Sequence, residues 1–193
     1  MAKIAVVIHA CGFESEYEIC ETFKIRIREA KSIAEEIGAS MFIITGGVRY
    51  QKESKLLLAH YAGIYLKSLF PQNKSPYPIL YAIHCYNSST DTKNVLKICK
   101  REEVERIIIV TSEWHSEVVR QMYNYFNDNP NLTVKFAISD KGESAGIKTL
   151  FKYAFFDRLI HKARFTGLFD RLDKFLNEKQ KHRMKKFQET GCN

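Results

Sequence analysis

Long apolar runs are missing from this sequence. No stretch approaches the roughly 20 consecutive apolar residues a helix needs to cross a bilayer. The opening MAKIAVVIHA goes straight into a strand-like run, with no long apolar segment or small-residue cleavage pattern behind it. The expectation is a cytoplasmic protein with no spanning segment. Cysteines are few and poorly spaced for structural chemistry: Cys11, Cys20, Cys85, Cys99 and Cys192 are an odd number, and no two form a CxxC pair. That argues against both a disulfide framework and a zinc knuckle. GxGxxG and the P-loop pattern are absent, so neither an NAD nor a Walker-type nucleotide site is indicated. His9, His84 and His115 with Glu53 are the residue types of a zinc site, but no HxH or HExxH spacing supports one, and no metal is expected. Internal repeats and low-complexity segments are absent too.

What is there suits a globular α/β chain. The 193 residues are 45% hydrophobic and 27% charged, enough for one domain with an appendage. The net charge of +8 is uneven: residues 151–193 hold eleven Lys/Arg against five Asp/Glu, a net of +6, which leaves about +2 for residues 1–150. A basic tail is either a solvated helix face or a patch for RNA, anionic lipid or an acidic partner. Without RGG repeats or stacked aromatic motifs the solvated face is favoured.

Strand-like runs alternate with amphipathic helical patterns. Strands are expected at Lys3–His9, Met41–Thr45, Ile79–Ile83, from Arg106 through the β-branched run Ile107–Val110, and at Leu132–Ile138. Helices are expected over Glu16–Ile37, with Phe23, Ile27, Ala30, Ile33, Ala34 and Ile37 on one face and Gly38 as the stop. Others run from Glu53 or Ser54 to Phe70, over Thr92–Arg101, and from near His115 to Phe126. Such alternation predicts a Rossmann-like parallel sheet of about five strands with helices on both faces. Beyond Gly146 the aromatics Phe151, Tyr153, Phe155 and Phe156 lead into a pattern of Phe165, Leu168, Phe169, Leu172 and Leu176 at helical spacing. Residues 1–150 therefore read as the sheet domain, and residues 151–193 as a basic amphipathic helical extension packed on it.

In a parallel sheet the turns after the strands share one edge. Here they are His9–Gly12, Thr45–Arg49, His84–Asp91, Thr111–His115 and Ser139–Gly142, all polar or glycine-rich. Helix N-termini at that edge direct backbone N–H groups and the positive dipole end toward one cleft, which suits a phosphate or carboxylate. Candidate ligand-binding residues are Cys11, Gly12, Gly46, Gly47, Ser89, Asp91, Thr92, Thr111 and Ser112. Ser89, Thr92 and Ser112 equally suit helix caps. Cys11 and Cys85 follow strands and leave a reactive-thiol role open. His115 is the acid/base candidate, because imidazole titrates near neutrality; the alternative is a first-turn residue whose ring caps the backbone. Glu53 is a base, a ligand to a substrate hydroxyl, or an N-terminal helix charge.

The order of ITGG (Ile44–Gly47) with Glu53 downstream, a Ser-x-Asp-Thr segment (Ser89–Thr92) and VTSEWH (Val110–His115) resembles the YdcF-like family, domains of unsettled reaction that include SanA and ElyC. The resemblance covers residues 3–150 and implies a Rossmann-like domain with a pocket at the carboxyl edge of the sheet. It also implies S-adenosylmethionine as a ligand and a link to bacterial envelope maintenance. Envelope members usually begin with a membrane segment, so this chain looks more like the soluble YdcF type. Three positions differ from the family pattern. Cys85-Tyr86-Asn87 stands where members often have an acidic residue, Val95 where they often have Asn, and Val118 where they tend to have Arg. If that arginine holds an anion in the family, another cation must do so here, and Arg49 and Arg120 are the candidates.

Three functions are compatible with these features. The first is a site for an anionic or nucleotide-like small molecule, of the S-adenosylmethionine type or phosphorylated, at the sheet edge. The second is an interaction protein using its basic C-terminal helices on RNA, anionic lipid or a protein partner. The third is a phosphatase or phosphotransferase on a sugar or lipid-linked phosphate. An enzyme of the transferase or hydrolase class fits the first and third.

Overall fold

Five short, mainly apolar runs pair as one parallel sheet. The central strands Ile4–Ile8, Met41–Thr45 and Arg106–Thr111 are apolar at nearly every position because they are covered on both faces, while the edge strand Thr133–Ile138 carries Thr133 and Lys135. The computed structural model describes residues 2–11, 14, 18–47, 57–83, 85, 87–139 and 178. The chain divides into two compact units, 1–142 and 143–193. The helical extension expected over 151–193 lies outside the described residues apart from Glu178.

The elements of the first unit are β1 (Ile4–Ile8), α1 (Glu21–Ile37), β2 (Met41–Thr45), α2 (Leu58–Ser68), β3 (Ile79–Ala82), α3 (Ser88–Arg101), β4 (Arg106–Thr111), α4 (Glu113–Phe126) and β5 (Thr133–Ile138), with a short 3₁₀ turn at Pro71–Asn73. The strand order is β3-β2-β1-β4-β5 and every pairing is parallel. The chain thus moves outward from β1 through β2 to β3, then crosses back to lay β4 on the other side of β1. This is the Rossmann-like arrangement, and the strand order reverses between β1 and β4.

The reversal also sorts the helices. Val6, Ile8, Phe42, Ile44 and Val110 pack with Phe23, Ile27, Ala34, Leu58 and Leu66 from α1 and α2. Ala5, Val7, Ile43, Ile107 and Ile109 pack with Val95, Cys99, Val119 and Tyr123 from α3 and α4. Helices therefore cover both faces, each over its own apolar layer. Among the described residues no helix is long and apolar enough to cross a membrane.

Element ends differ from the sequence reading where local hydrogen bonding decides them. Helix α1 starts at Glu21 rather than Glu16, because Cys20 is extended (φ −62°, ψ 155°). Helix α3 starts at Ser88, four residues before the expected Thr92. Asn87 accepts from the Thr90 N–H at 2.9 Å, and the Thr90 hydroxyl accepts from the Asn87 N–H at 3.0 Å. This reciprocal capping box supplies the cap that Ser89 or Thr92 was expected to provide. Helix α2 starts at Leu58 after an extended Leu57; the expected start at Glu53 or Ser54 falls outside the described residues.

Candidate functional site

Side chains alternate along a strand, so the residue that ends each run has its direction set by those before it. Ile8 pairs with Ile44 on one side and with Val110 on the other. One residue further on, His9, Thr45 and Thr111 lie level on three neighbouring strands. All three point to the α3/α4 face, opposite to Ile8, Ile44 and Val110, and all three are fully buried. The next residue after Thr111 turns the other way, and Ser112 faces α1.

On the α3/α4 face the buried polar groups form a linked set. Thr45 Oγ1 accepts from the Ala10 N–H at 2.9 Å and donates to Asp91 Oδ2 at 3.2 Å. His9 Nε2 lies 3.2 Å from the Tyr123 hydroxyl, and His9 Nδ1 lies 3.8 Å from Asp91 Oδ2. That last distance is within ion-pair range but too long for a hydrogen bond. Complete burial, reinforced by the Arg26 charge, pulls His9 down to about 3. His9 is therefore neutral at ordinary pH, and the Asp91 carboxylate faces an imidazole dipole rather than a cation.

His115 sits in the first turn of α4, only 4% exposed. Its Nδ1 lies 3.2 Å from Thr111 Oγ1 and its Nε2 lies 3.0 Å from Ser88 Oγ. Ser88, the first residue of α3, is half-buried. The ring of His115 packs edge-on to that of His9 with centroids 6.1 Å apart. The first turns of α3 and α4 thus meet beside the strand-order reversal, joined by the bond between Ser88 and His115.

On the other face, α1 contributes a side chain that its polarity would place outside. Arg26 is fully buried. Its Nη1 donates to the carbonyls of His9 at 2.9 Å and Ala10 at 3.1 Å, and its Nε donates to Ser112 Oγ at 2.9 Å. The guanidinium carbon lies 5.8 Å from the Trp114 ring centroid. The guanidinium ties the turn after β1 to the turn after β4, and it puts a fixed positive charge behind the edge. Arg26 could have been noticed in the sequence: it falls between Phe23 and Ala30 on the apolar stripe, three residues from one and four from the other.

The two glycines after β2 have specific steric roles. A Cβ on Gly47 would stand 2.2 Å from the Cys85 carbonyl oxygen and 2.8 Å from that of Ile83. Gly46 has φ +140° and a Cβ there would meet the Ala59 nitrogen at 3.0 Å. Their carbonyls accept from Ala59 and Leu58, seating the start of α2. The Gly-Gly turn therefore lets the turn after β2 pass against the chain after β3.

The sequence-predicted residues divide as follows. Thr111 and His115 are brought together with Ser88, while Asp91 joins Thr45 and His9. Ser112 occupies the N-cap position of α4, yet its side chain makes no capping bond and meets Arg26 instead. Ser89 and Thr92 are buried in the first turns of α3, with Thr92 Oγ1 donating to the Ser88 carbonyl at 2.8 Å. Cys11 is half-buried against the α1/α2 layer. Glu53, Gly12, Arg49 and His84 lie outside the described residues. Arg120 lies 3.8 Å from Glu117 and 4.6 Å from the Phe136 ring centroid, its side chain nearly half exposed. Among the described residues, Arg26 is the cation that reaches this edge. Cys85 is buried beside Asp91, and burial with that negative charge pushes its thiol well up, which disfavours the thiolate at this position. The sequence pattern does not single out Arg26, Ser88 or Tyr123. No family model and no curated protein sequence matches the chain.

Proposed function

We propose that this chain is a YdcF-like protein that binds an anionic or nucleotide-like small molecule at the carboxyl edge of its sheet, between the turns after β1 and β4. One observation carries the reading: the N-terminal turns of α3 and α4 converge on the strand-order reversal, with the buried Arg26 guanidinium behind them. Two helix dipoles and a fixed cation favour negative charge at one place, and open α/β sheets take their ligands there. Buried hydroxyls at Thr45, Thr111 and Ser112 hold this polar floor in position. S-adenosylmethionine is a ligand of this class suggested by the resemblance; the anionic carboxylate end suits the helix N-termini, and a ribose-holding carboxylate would come from Glu53.

The test is a thermal-shift screen with ATP, S-adenosylmethionine and glucose 6-phosphate. Saturation at a hundredfold over Kd adds about 2.7 kcal/mol to the stability of the folded form. At least one member of the panel should raise the melting temperature of the wild type by more than it raises that of His115→Ala. Equal or absent shifts in both proteins would remove the support for a ligand site here.

A further inference from the structure

The bond between Ser88 and His115 has a chemistry of its own. A serine hydroxyl is a weak nucleophile until a base takes its proton, and the arrangement that achieves this is a hydroxyl within hydrogen-bond reach of an imidazole whose far nitrogen is held by a third group. Ser88 Oγ stands 3.0 Å from His115 Nε2, and Thr111 Oγ1 stands 3.2 Å from His115 Nδ1. With the proton on Nδ1 and directed at Thr111, the Nε2 lone pair faces the Ser88 hydroxyl. The base is 4% exposed, while the serine in front of it is half-buried. Ser88 is the first residue of a 14-residue helix, so its Oγ sits at the positive end of the α3 dipole.

We propose that Ser88 is the nucleophile, and His115 its general base, in acyl transfer from an activated carboxylic ester carried on the bound anionic ligand. This rests on the edge-site reading above. Ser88 Oγ attacks the ester carbonyl carbon as its proton passes to His115 Nε2. The carbonyl oxygen takes the negative charge, facing the α3 N-terminus. The ester C–O bond then breaks, and the alkoxide leaves with the proton from His115. A water molecule attacks the acyl-Ser88 carbonyl as it gives a proton to His115 Nε2; the acyl C–Oγ bond then breaks, Ser88 Oγ takes that proton back, and the acid is released. Thr111 acts as a positioning residue that sets the imidazole tautomer. Acyl rather than phosphoryl chemistry is favoured because a transferring phosphoryl group spreads charge over three oxygens that cations must clamp. Among the described residues Arg26 is the guanidinium at this edge, and it already directs Nε and Nη2 to Ser112 Oγ and Nη1 to the His9 and Ala10 carbonyls.

The experiment uses the full chain and an alkyl fluorophosphonate, which serine oxygen attacks with loss of fluoride. Intact mass and peptide mapping should place one adduct on Ser88. The adduct should be absent from Ser88→Ala and form at least tenfold more slowly in His115→Gln. Thr111→Val should slow adduct formation in the wild-type background, and Thr111→Ser should restore it. Nitrophenolate release in excess of that given by Ser88→Ala should be seen with p-nitrophenyl acetate and not with p-nitrophenyl phosphate. If Ser88→Ala melts early, Ser88→Cys preserves the size of the side chain and should exchange fluorophosphonate reactivity for iodoacetamide reactivity. No adduct, an adduct elsewhere, or a Ser88 adduct indifferent to His115→Gln overturns the assignment, and Ser88-dependent turnover of the phosphate ester overturns the acyl class. Stabilisation of Ser88→Ala by the anionic panel without any wild-type adduct would sink the nucleophile alone; absence of both would sink the binding site as well.

Discussion

Replacing Arg26 with methionine separates the two things its guanidinium does, hydrogen bonding and charge. Methionine keeps much of the buried stem and volume, so packing is largely conserved. What disappears is the set of donors to the His9 carbonyl, the Ala10 carbonyl and Ser112 Oγ. Each buried acceptor left without a donor costs about 1–3 kcal/mol, and the Ser112 hydroxyl can rotate to soften its share. Relief of the buried charge offsets part of the loss. The net expectation is a loss of about 2–4 kcal/mol at pH 7, read as a lower urea midpoint by circular dichroism.

The charge leaves a second signature. Burial is the larger cause of the depressed His9 value and Arg26 the smaller. In Arg26→Met the folded-state value rises but stays below the unfolded 6.5. A histidine that is depressed when folded supports stability above pH 6.5 and withdraws that support as pH falls toward its folded value. The wild type should therefore lose about 1.4 kcal/mol per pH unit from this group between 6.5 and about 3. The variant should stop losing sooner. Its deficit relative to wild type should shrink as the pH falls toward the wild-type folded value of about 3. Arg26→Lys, which keeps the charge and loses the fork, should show an intermediate deficit with the wild-type pH slope. A loss below about 1 kcal/mol at pH 7, or a deficit that grows on acidification, would refute the reasoning.

Two further outcomes follow from the same contacts. His9→Gln should flatten the fall in urea midpoint between pH 6 and pH 4, because the group that takes up a proton only when unfolded is gone; an unchanged slope would mean His9 is not buried neutral. Gly47→Ala should cost about 3 kcal/mol in urea unfolding, since its Cβ would meet two backbone carbonyls that cannot rotate away. A neutral result would mean the turns after β2 and β3 are not in contact.

Much of the framework is legible in the residue pattern, and the reasons are local. Met41–Thr45 is apolar to its last residue and then turns to Gly-Gly, so both ends of β2 are marked. The run Ile107–Val110 belongs to a strand buried on both faces, and Thr111-Ser112 marks the edge where it stops. Three polar strand ends, at His9, Thr45 and Thr111, foretell a polar edge because only shared register can bring them level. What the pattern obscures is any group whose role depends on a partner far along the chain. Arg26 lies 86 residues from Ser112, and a charge on an apolar stripe is averaged away by a periodicity argument. Ser88 lies 27 residues from His115, and its place before the Ser-x-Asp-Thr segment drew attention to Ser89 instead. The start of α3 was placed late because Asn87 and Thr90 cap it reciprocally, a feature that resembles an ordinary polar loop in sequence.

Backbone amide chemical shifts during titration with ATP, S-adenosylmethionine and glucose 6-phosphate test the edge site most directly. Binding between the turns after β1 and β4 requires saturable shifts at His9–Cys11, Ser88–Thr92 and Thr111–His115, with Ile79–Ala82 and Thr133–Phe136 little moved. Saturable shifts confined to the amino edge of the sheet or to residues 151–193, or none with any of the three, would contradict it.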